Sequence, residues 1–496
     1  MIVGAREIER HKTAIPRSAV SAPVYLLQSG GVITDHTTVL DYGCGQGHDV
    51  EALKNAGISA KGWDPHFSPD PSNLEEADVV NLGFVLNVIE DRAERIAALE
   101  QAFSYARQCL SVSVMLIGKG DLSNSRPYKD GFITSRNTFQ KYYTQPEFRE
   151  FLCEVLGTEA VAAGPGIFFI FKDEVAEQRF LFRRQVGFRQ PVSQTPRRTT
   201  SKKNAKKVND TTSTDKFVVA GIADTIREIG RHPDESELSI SLKKSISRSQ
   251  RSLSFLINLA LQELDTDELE RAAAARTEEL TLFFALNAFG KRAPYRDLPS
   301  ELQRDVRAFF GSHQRAIAEG RALLFSIGDE EKLRKDAADA VNSGMGRLDD
   351  GKFQFNAKDL IRLPITLRGY VAIGERLAGD LSDATLFKIH LSSKKLTALH
   401  FPDFDTSSLP RLEKRVKIEF PAFDVQLVDH TAQGQVKLLY LRSNFLPENH
   451  PHFAAQKRFD DRVSAIDGLS FCGEGPPFKE FLTCLSKLEI TPPKFS

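Results

Sequence analysis

Short apolar runs separated by polar turns dominate the first third of the chain, and their lengths predict strands alternating with helices. One run, Val39-Leu40-Asp41-Tyr42, breaks at once into Gly43-Cys44-Gly45-Gln46-Gly47. From Asp49 the pattern turns amphipathic through Val50, Ala52 and Leu53, which predicts a helix just past the third glycine. A second run, Ala60-Lys61-Gly62-Trp63, ends in Asp64-Pro65, and a third covers residues 77 to 86. Residues 92 to 107 carry Ile96, Leu99 and Phe103 at helical spacing, behind acids that suit a helix N-terminus. Residues 110 to 117 alternate and predict the next strand. Residues 147 to 156 read as a helix, and residues 164 to 171 as a turn and buried strand that closes the sheet. This order predicts an α/β, Rossmann-like domain over residues 1–182.

The pattern changes after residue 182. Residues 183–216 hold Arg183, Arg184, Arg189, Arg197, Arg198, Lys202, Lys203, Lys206 and Lys207 among Ser, Thr, Pro and Asn, the composition of a flexible basic linker. Residues 217–350 read as mainly helical. Residues 351–496 read as a mixed α/β region with strands near 385–391, 395–401 and 436–441. A chain of 496 residues fits this division into several domains.

Charge narrows the partners little, because 66 basic and 66 acidic side chains cancel. Any contact with DNA then has to come from a local patch, and the basic linker is the candidate. The five cysteines are scattered without metal-ligand spacing, so no structural metal is expected and the thiols fit a cytoplasmic protein. No apolar run reaches membrane-spanning length, so no membrane partner is expected.

The candidate chemistry gathers on the glycine turn. Gly43, Gly45 and Gly47 would let backbone approach a ligand closely, and Asp41 leads them at the end of the strand. Asp64, one helix later, stands where such folds place an acid on a ribose. The spacing Asp-x-Gly-x-Gly-x-Gly resembles the first motif of class I S-adenosylmethionine-dependent methyltransferases, which implies S-adenosylmethionine as cofactor. Only the proline-rich residues 65 to 76 separate the second and third runs, too few for the helix and strand a full class I sheet holds there. The expectation is therefore a sheet trimmed between its second and fourth strands, followed by the basic linker and a helix-rich α+β C-terminal region.

Asn81 and Leu82 are expected on the pocket floor. With Phe84, Asn81 invites comparison with the Asn-Pro-Pro-Tyr/Phe motif of base amino methyltransferases, although both prolines are absent; Asn81 and Phe84 are the weak catalytic candidates. Residues 118 to 130 read as a long, lid-like loop. The run behind it, with Thr138, Gln140, Lys141 and Tyr142, mixes hydroxyls, cations and aromatics; it fits a substrate-binding surface and equally a helix with one buried aromatic face.

Taken together, His11-Lys12-Thr13-Ala14-Ile15, Leu40 to Gly47, Gly62 to Pro65, Val79 to Glu90 and Thr138 to Tyr142 resemble the methyltransferases associated with bacterial DNA phosphorothioation (Dnd) systems. The resemblance is specific over residues 10 to 180 and looser through Leu396 to Asp405. It implies a bacterial host and a neighbourhood of enzymes that place sulfur in the DNA backbone, with Dnd-system proteins as candidate partners; DNA is the acceptor expected in that setting. Two other readings stay open: a cofactor-binding regulatory or DNA-binding protein without turnover, and a methyltransferase acting on RNA or a small molecule.

Overall fold

The computed structural model describes residues 8–14, 17, 19–118, 125–186, 213–290, 293–431, 436–471, 473 and 475–495. They fall into two compact units, Met1–Phe180 with Ser326–Ser496, and Leu181–Phe325. The expected division at 350 and 351 is therefore not the one seen. The chain's C-terminal portion belongs with its first 180 residues.

In the first 180 residues a helix α1 (Ala22–Ser29) precedes β1 (Thr38–Tyr42), α2 (His48–Asn55), β2 (Ser59–Trp63) and β3 (Ala77–Gly83). Then follow α3 (Arg92–Tyr105), β4 (Ala106–Ser113), the short β5 (Arg126–Tyr128), β6 (Gly131–Ile133) and β7 (Phe139–Gln140), α4 (Gln145–Leu156), β8 (Val161–Gly164), β9 (Ile167–Phe171) and α5 (Glu174–Val186). The main sheet has the order β2-β1-β3-β4-β9-β8. Its first four strands are parallel and β9 runs antiparallel to both neighbours. β8, not the strand at 167 to 171, forms the far edge. Parallel strands need cover on both faces. One face packs Leu40, Val80, Leu82 and Leu110 against Leu99, Phe148 and Leu152 of the helices.

Local chemistry explains the helix ends. Asp91 accepts from the amides of Ala93 and Glu94 at the start of α3. Thr144 and Glu147 form a capping box on α4, which ends at the left-handed Gly157. Between β2 and β3 only a single 3-10 turn (Pro71–Asn73) and an Asp64–Ser68 bridge intervene, so β2 is the other edge of the sheet.

Of the lid-like loop expected at 118 to 130, residues 119–124 lie outside the described residues, and residues 126 to 140 are not a helix. They form the three-stranded antiparallel sheet β5-β6-β7. Arg95 of α3 anchors it: 1 % exposed, it donates to the Tyr143 hydroxyl at 3.2 Å and pairs with Asp130. Arg95→Leu is expected to lower stability by roughly 1–3 kcal/mol, at the low end for a buried pair because Asp130 is 40 % exposed and keeps Lys141. Calorimetric melting checks this; an unchanged profile would show that the clamp carries no stability.

The second unit is helical: α6 (Ser213–Ile229), α7 (Ile240–Ser249), α8 (Leu253–Glu263), α9 (Thr266–Leu286), α10 (Ser300–Phe309) and the start of α11 (His313–Gly328). Val218, Ile222, Ile226, Leu256 and Ala260 form a core among α6 to α8. The fully buried Asp305 carboxylate is held by Arg231 at 2.6 Å and Arg276 at 2.7 Å. Of the expected basic linker, residues 187–212 lie outside the described residues, while Arg183 and Arg184 are in α5.

The chain then returns to the first unit with α12 (Glu330–Asn342), β10 (Arg347–Asp349), β11 (Lys352–Asn356), α13 (Ile365–Ala378), β12 (Leu386–His390), β13 (Lys395–His400), β14 (Lys414–Glu419), β15 (Asp424–Asp429), α14 (Phe453–Ser464) and α15 (Phe478–Lys487). β10 to β15 make one antiparallel meander in sequence order. The strand expected at 436 to 441 is absent beyond a single Arg411–Leu438 bridge. The meander docks on the first sheet through the end of α13. The Asp380 amide donates to the Ala163 carbonyl at 2.8 Å, and a Cβ on Gly379 (φ 87°) would lie 2.1 Å from the Gly164 nitrogen. Backbone against backbone at that range admits only glycine. Among the described residues no helix is long and apolar enough to cross a membrane.

Candidate functional site

The parallel strands β1, β2 and β3 end at one place, and the glycine turn lies over it. Gly43, Gly45 and Gly47 all have left-handed backbone (φ 85°, 52° and 82°). A Cβ on Gly43 would lie 2.3 Å from the Val85 side chain. The turn is tied to β2, since the amides of Gly43 and Cys44 both donate to the Trp63 carbonyl.

Asp64 builds this loop before it can serve a ligand. Its Oδ2 accepts from the Gly45 amide at 3.1 Å, and its Oδ1 from the amides of His66 and Phe67 at 2.9 Å. Three of about four lone-pair directions on the carboxylate are thus engaged, leaving one acceptor direction.

Register brings the polar core of the site together. Asp41 pairs across the sheet with Asn81, and Asn81 with Ser111, so their side chains share one face. Asn81 Nδ2 donates to Asp41 Oδ1 at 2.8 Å, while the buried Asn81 Oδ1 and Ser111 Oγ have no hydrogen-bond partner. Burial first, then the nearby Asp49 carboxylate, pushes the Asp41 carboxyl up to about 7, against the opposing Asn81 hydrogen bond and Arg17. A nearly buried acid beside unpartnered acceptors is chemistry prepared for a cationic or hydrogen-bond-donating group. Cys44 offers no thiolate: burial, reinforced by Asp41 and Asp64, pushes its thiol up to about 12.

Leu82, expected on the pocket floor, is fully buried in the core on the opposite face, because neighbours along a strand alternate sides. Asn81 is likewise a strand residue, not part of a presented loop. Phe84 follows at φ 59° with its amide donating to Ser113, and the Arg17 guanidinium lies over its ring at 5.6 Å. The substrate-surface candidates are tied up in structure. Thr138 is buried and shares a hydrogen bond with Thr134, Gln140 accepts from Asn87 Nδ2 at 2.9 Å, and Lys141 pairs with Glu147 at 3.0 Å and Asp130 at 3.5 Å. Tyr142, the fourth, is half-buried beside them. These contacts hold the small sheet against the turn after β3.

An N-terminal strap, which holds the His11-Lys12-Thr13-Ala14 stretch, crosses the site. Arg10 engages Glu90 at 2.9 Å and Glu94 at 2.7 Å, the Glu9 amide donates to the Asn137 carbonyl, and the His11 and His66 rings stack at 4.3 Å. Ala14 of the strap lies 3.4 Å from where a Cβ of Gly45 would be. On the β2 edge an open cleft of about 650 Å³ runs along the loop, lined by Gly45, Gly47, Val50, Lys54, Lys61 and Phe67. Among the described residues no group of His, Cys, Asp and Glu has the arrangement of a metal site.

No family model and no curated protein matches the chain. Solved structures that show a likeness include two methyltransferases. One is the Burkholderia thailandensis 1,6-didemethyltoxoflavin-N1-methyltransferase with bound 1,6-didemethyltoxoflavin and S-adenosylhomocysteine, at 14% identity over 30% of this chain and 79% of that one, with a TM-score of 0.23. The other is the CcbJ methyltransferase from Streptomyces caelestis, at 11% identity over 32% of this chain and 92% of that one, with a TM-score of 0.24. At those scores neither likeness contributes to a functional reading, which has to rest on the residues of this chain.

Proposed function

We propose that the first unit binds S-adenosylmethionine at the C-terminal ends of β1, β2 and β3 and transfers its methyl group to DNA, in the setting of DNA phosphorothioate modification. In this reading the main sheet is a class I methyltransferase sheet trimmed beyond β2. The observation that carries it is the Asp41–Asn81 pair, buried beneath three left-handed glycines with Asn81 Oδ1 unpartnered.

The residues present fit the cofactor. Asp41 and Asn81 Oδ1 offer acceptors to the ammonium of its amino-acid part, and the side-chain-free turn admits its backbone-sized portion. Asp64 retains one acceptor direction for a ribose hydroxyl. The bound cofactor supplies a methyl group activated on a sulfonium sulfur. The chain's own work is then to orient that group, to exclude water beneath the strap and to align an acceptor. A phosphorothioate sulfur or an amino nitrogen as acceptor requires no strong base. The DNA acceptor and the phosphorothioation setting rest on the motif resemblance alone.

The test is transfer of labelled methyl to phosphorothioated DNA, unmodified DNA, RNA and host protein, with Asp41→Asn as control. Label on DNA that is lost in the control is the expected result. Label only on RNA or protein would overturn the acceptor, and cofactor binding without any label would identify a binding protein instead. Failure of the wild-type chain to bind the cofactor would end the whole reading.

A further inference from the structure

The C-terminal meander has two unlike faces. On one, Phe353, Phe355, Phe387, Ile389, Leu396, Val416 and Ile418 are buried, with α13 packed close enough that a Cβ on Gly374 would lie 2.4 Å from the Leu396 side chain. The other face carries two registered polar rows. Gln354, Lys388, Thr397, Lys417 and Gln426 are directly paired in one, and Lys352, His390, Lys395, Glu419 and Asp424 in the next. Residues two apart on a strand share a face, so both rows point the same way.

The first row contains no acid. In the second, Glu419 is shared by Lys395 at 3.0 Å and Lys417 at 2.7 Å, and Lys352 reaches only to Asp350 in the neighbouring turn. The side chains of Lys352, Lys395 and Lys417 remain about one-third exposed (35%, 29% and 32%). His390, bonded to Thr397 Oγ1 at 3.1 Å, sits among these lysines. Burial first, then Lys388, Lys352, Lys395 and Lys417, lower its imidazole to about 4. At the rim, in the turn between β14 and β15, Phe423 is 61% exposed and held at φ 51°.

We infer that this face, with Lys352, Lys388, Lys395 and Lys417 around the His390–Thr397 pair and Phe423 at its edge, binds single-stranded nucleic acid. Four cations spread over β11 to β14 make a flat track, with strands about 4.8 Å apart, and not a pocket for one small anion. The Gln354 and Gln426 amides beside them add hydrogen bonds to phosphate and base edges. A solvent-exposed aromatic beside a cationic track is the arrangement that stacks an unpaired base. The inference concerns binding alone and holds with or without methyl transfer by the first sheet.

Fluorescence anisotropy of the full chain with a labelled single strand of about 20 nucleotides tests it, with a matched duplex for comparison, between about 50 and 200 mM salt. Lys388→Gln/Lys417→Gln is expected to weaken single-strand binding at least about tenfold and to flatten the log–log salt slope by about 1.4, at about 0.7 per cation lost. Phe423→Ala, on an exposed side chain that the fold does not need, is expected to weaken binding about fivefold or more without changing the slope. Replacing Lys202, Lys203, Lys206 and Lys207 by Gln is expected to leave the effects of both variants in place. Wild-type binding that is absent or salt-independent overturns the inference, as does full binding by the lysine double variant. Equal affinity for the duplex, with Phe423→Ala silent, overturns the single-strand assignment.

Discussion

Gly43→Ala is expected to destabilise the first unit by roughly 2–5 kcal/mol, from left-handed backbone strain of about 1–2 and overpacking of about 1–3. Both terms are visible at one atom, since φ is 85° and the added Cβ would lie 2.3 Å from Val85 Cγ2. They can be separated. In Gly43→Ala/Val85→Ala the collision is gone while the backbone strain stays, so the pair is expected to recover the overpacking part only. Urea unfolding of the four proteins of this cycle measures each term. A Gly43→Ala protein as stable as the wild type would show that the turn can adopt another path, and the cradle would lose its structural basis. The double variant, folded but with a methyl group in the turn, is also expected to bind S-adenosylmethionine more weakly.

The second large effect lies in the charge of Asp41. Its carboxyl stands near 7 in the folded chain against 3.8 as the ordinary value, so the folded state holds a proton that the unfolded chain has released. That linkage contributes stability which is fully present below about pH 4 and is lost as pH rises to about 7. Asp41→Asn keeps the uncharged shape and has no proton to lose. It is therefore expected to equal the wild type near pH 4 and to be more stable above pH 7 by on the order of 2–4 kcal/mol. Thermal melts at a series of pH values check the sign. A variant that is less stable at pH 8 would mean the ionised carboxylate is already compensated in the free protein.

The same substitution separates stability from ligand binding. A cation beside Asp41 favours the ionised form, so cofactor binding between about pH 5 and 7 is expected to release a proton. Calorimetry in buffers of different ionisation enthalpy reads that proton directly. Asp41→Asn is expected to lose the release and to bind roughly 10–100-fold more weakly, as befits one charge-assisted contact. A stabilising change that weakens binding is the usual mark of a site held at some expense to the fold.

The alternation of apolar runs, glycines and helical spacing placed β1, α2, β2, β3, α3 and β9 because each signal is local. A run of four or five buried residues needs no distant partner to be read, and a left-handed turn demands glycine wherever it occurs. The acids at β1 and β2 could be read for the same reason. The role of Asp64 in bonding the Gly45 amide could not, because it depends on how two strand ends meet. Leu82 was misplaced from a one-residue ambiguity: adjacent positions on a strand face opposite ways, and which of them faces the site is settled by pairing.

The residues near 138 to 142 were ambiguous for a related reason. A mixture of Thr, Gln, Lys and Tyr has the same composition whether it faces a substrate or closes on Asn87, Asp130 and Glu147. The division of the chain was equally out of reach. Sequence order separates the C-terminal meander from the first sheet by a whole helical unit, and they are joined by non-local contacts such as Gly379 against Gly164 and the Asp380 amide on the Ala163 carbonyl.

What this sequence determined alone is therefore a glycine turn between a strand and a helix with an acid on each side, since backbone conformation and burial period are encoded residue by residue. What the tertiary structure decided is which groups share a space: Asp41 with Asn81 forty positions on, Arg10 with Glu90, and the lysines of four strands on one face of the meander. Those pairings come from sheet register and non-local packing, and neither leaves a mark in the residues that lie between the partners.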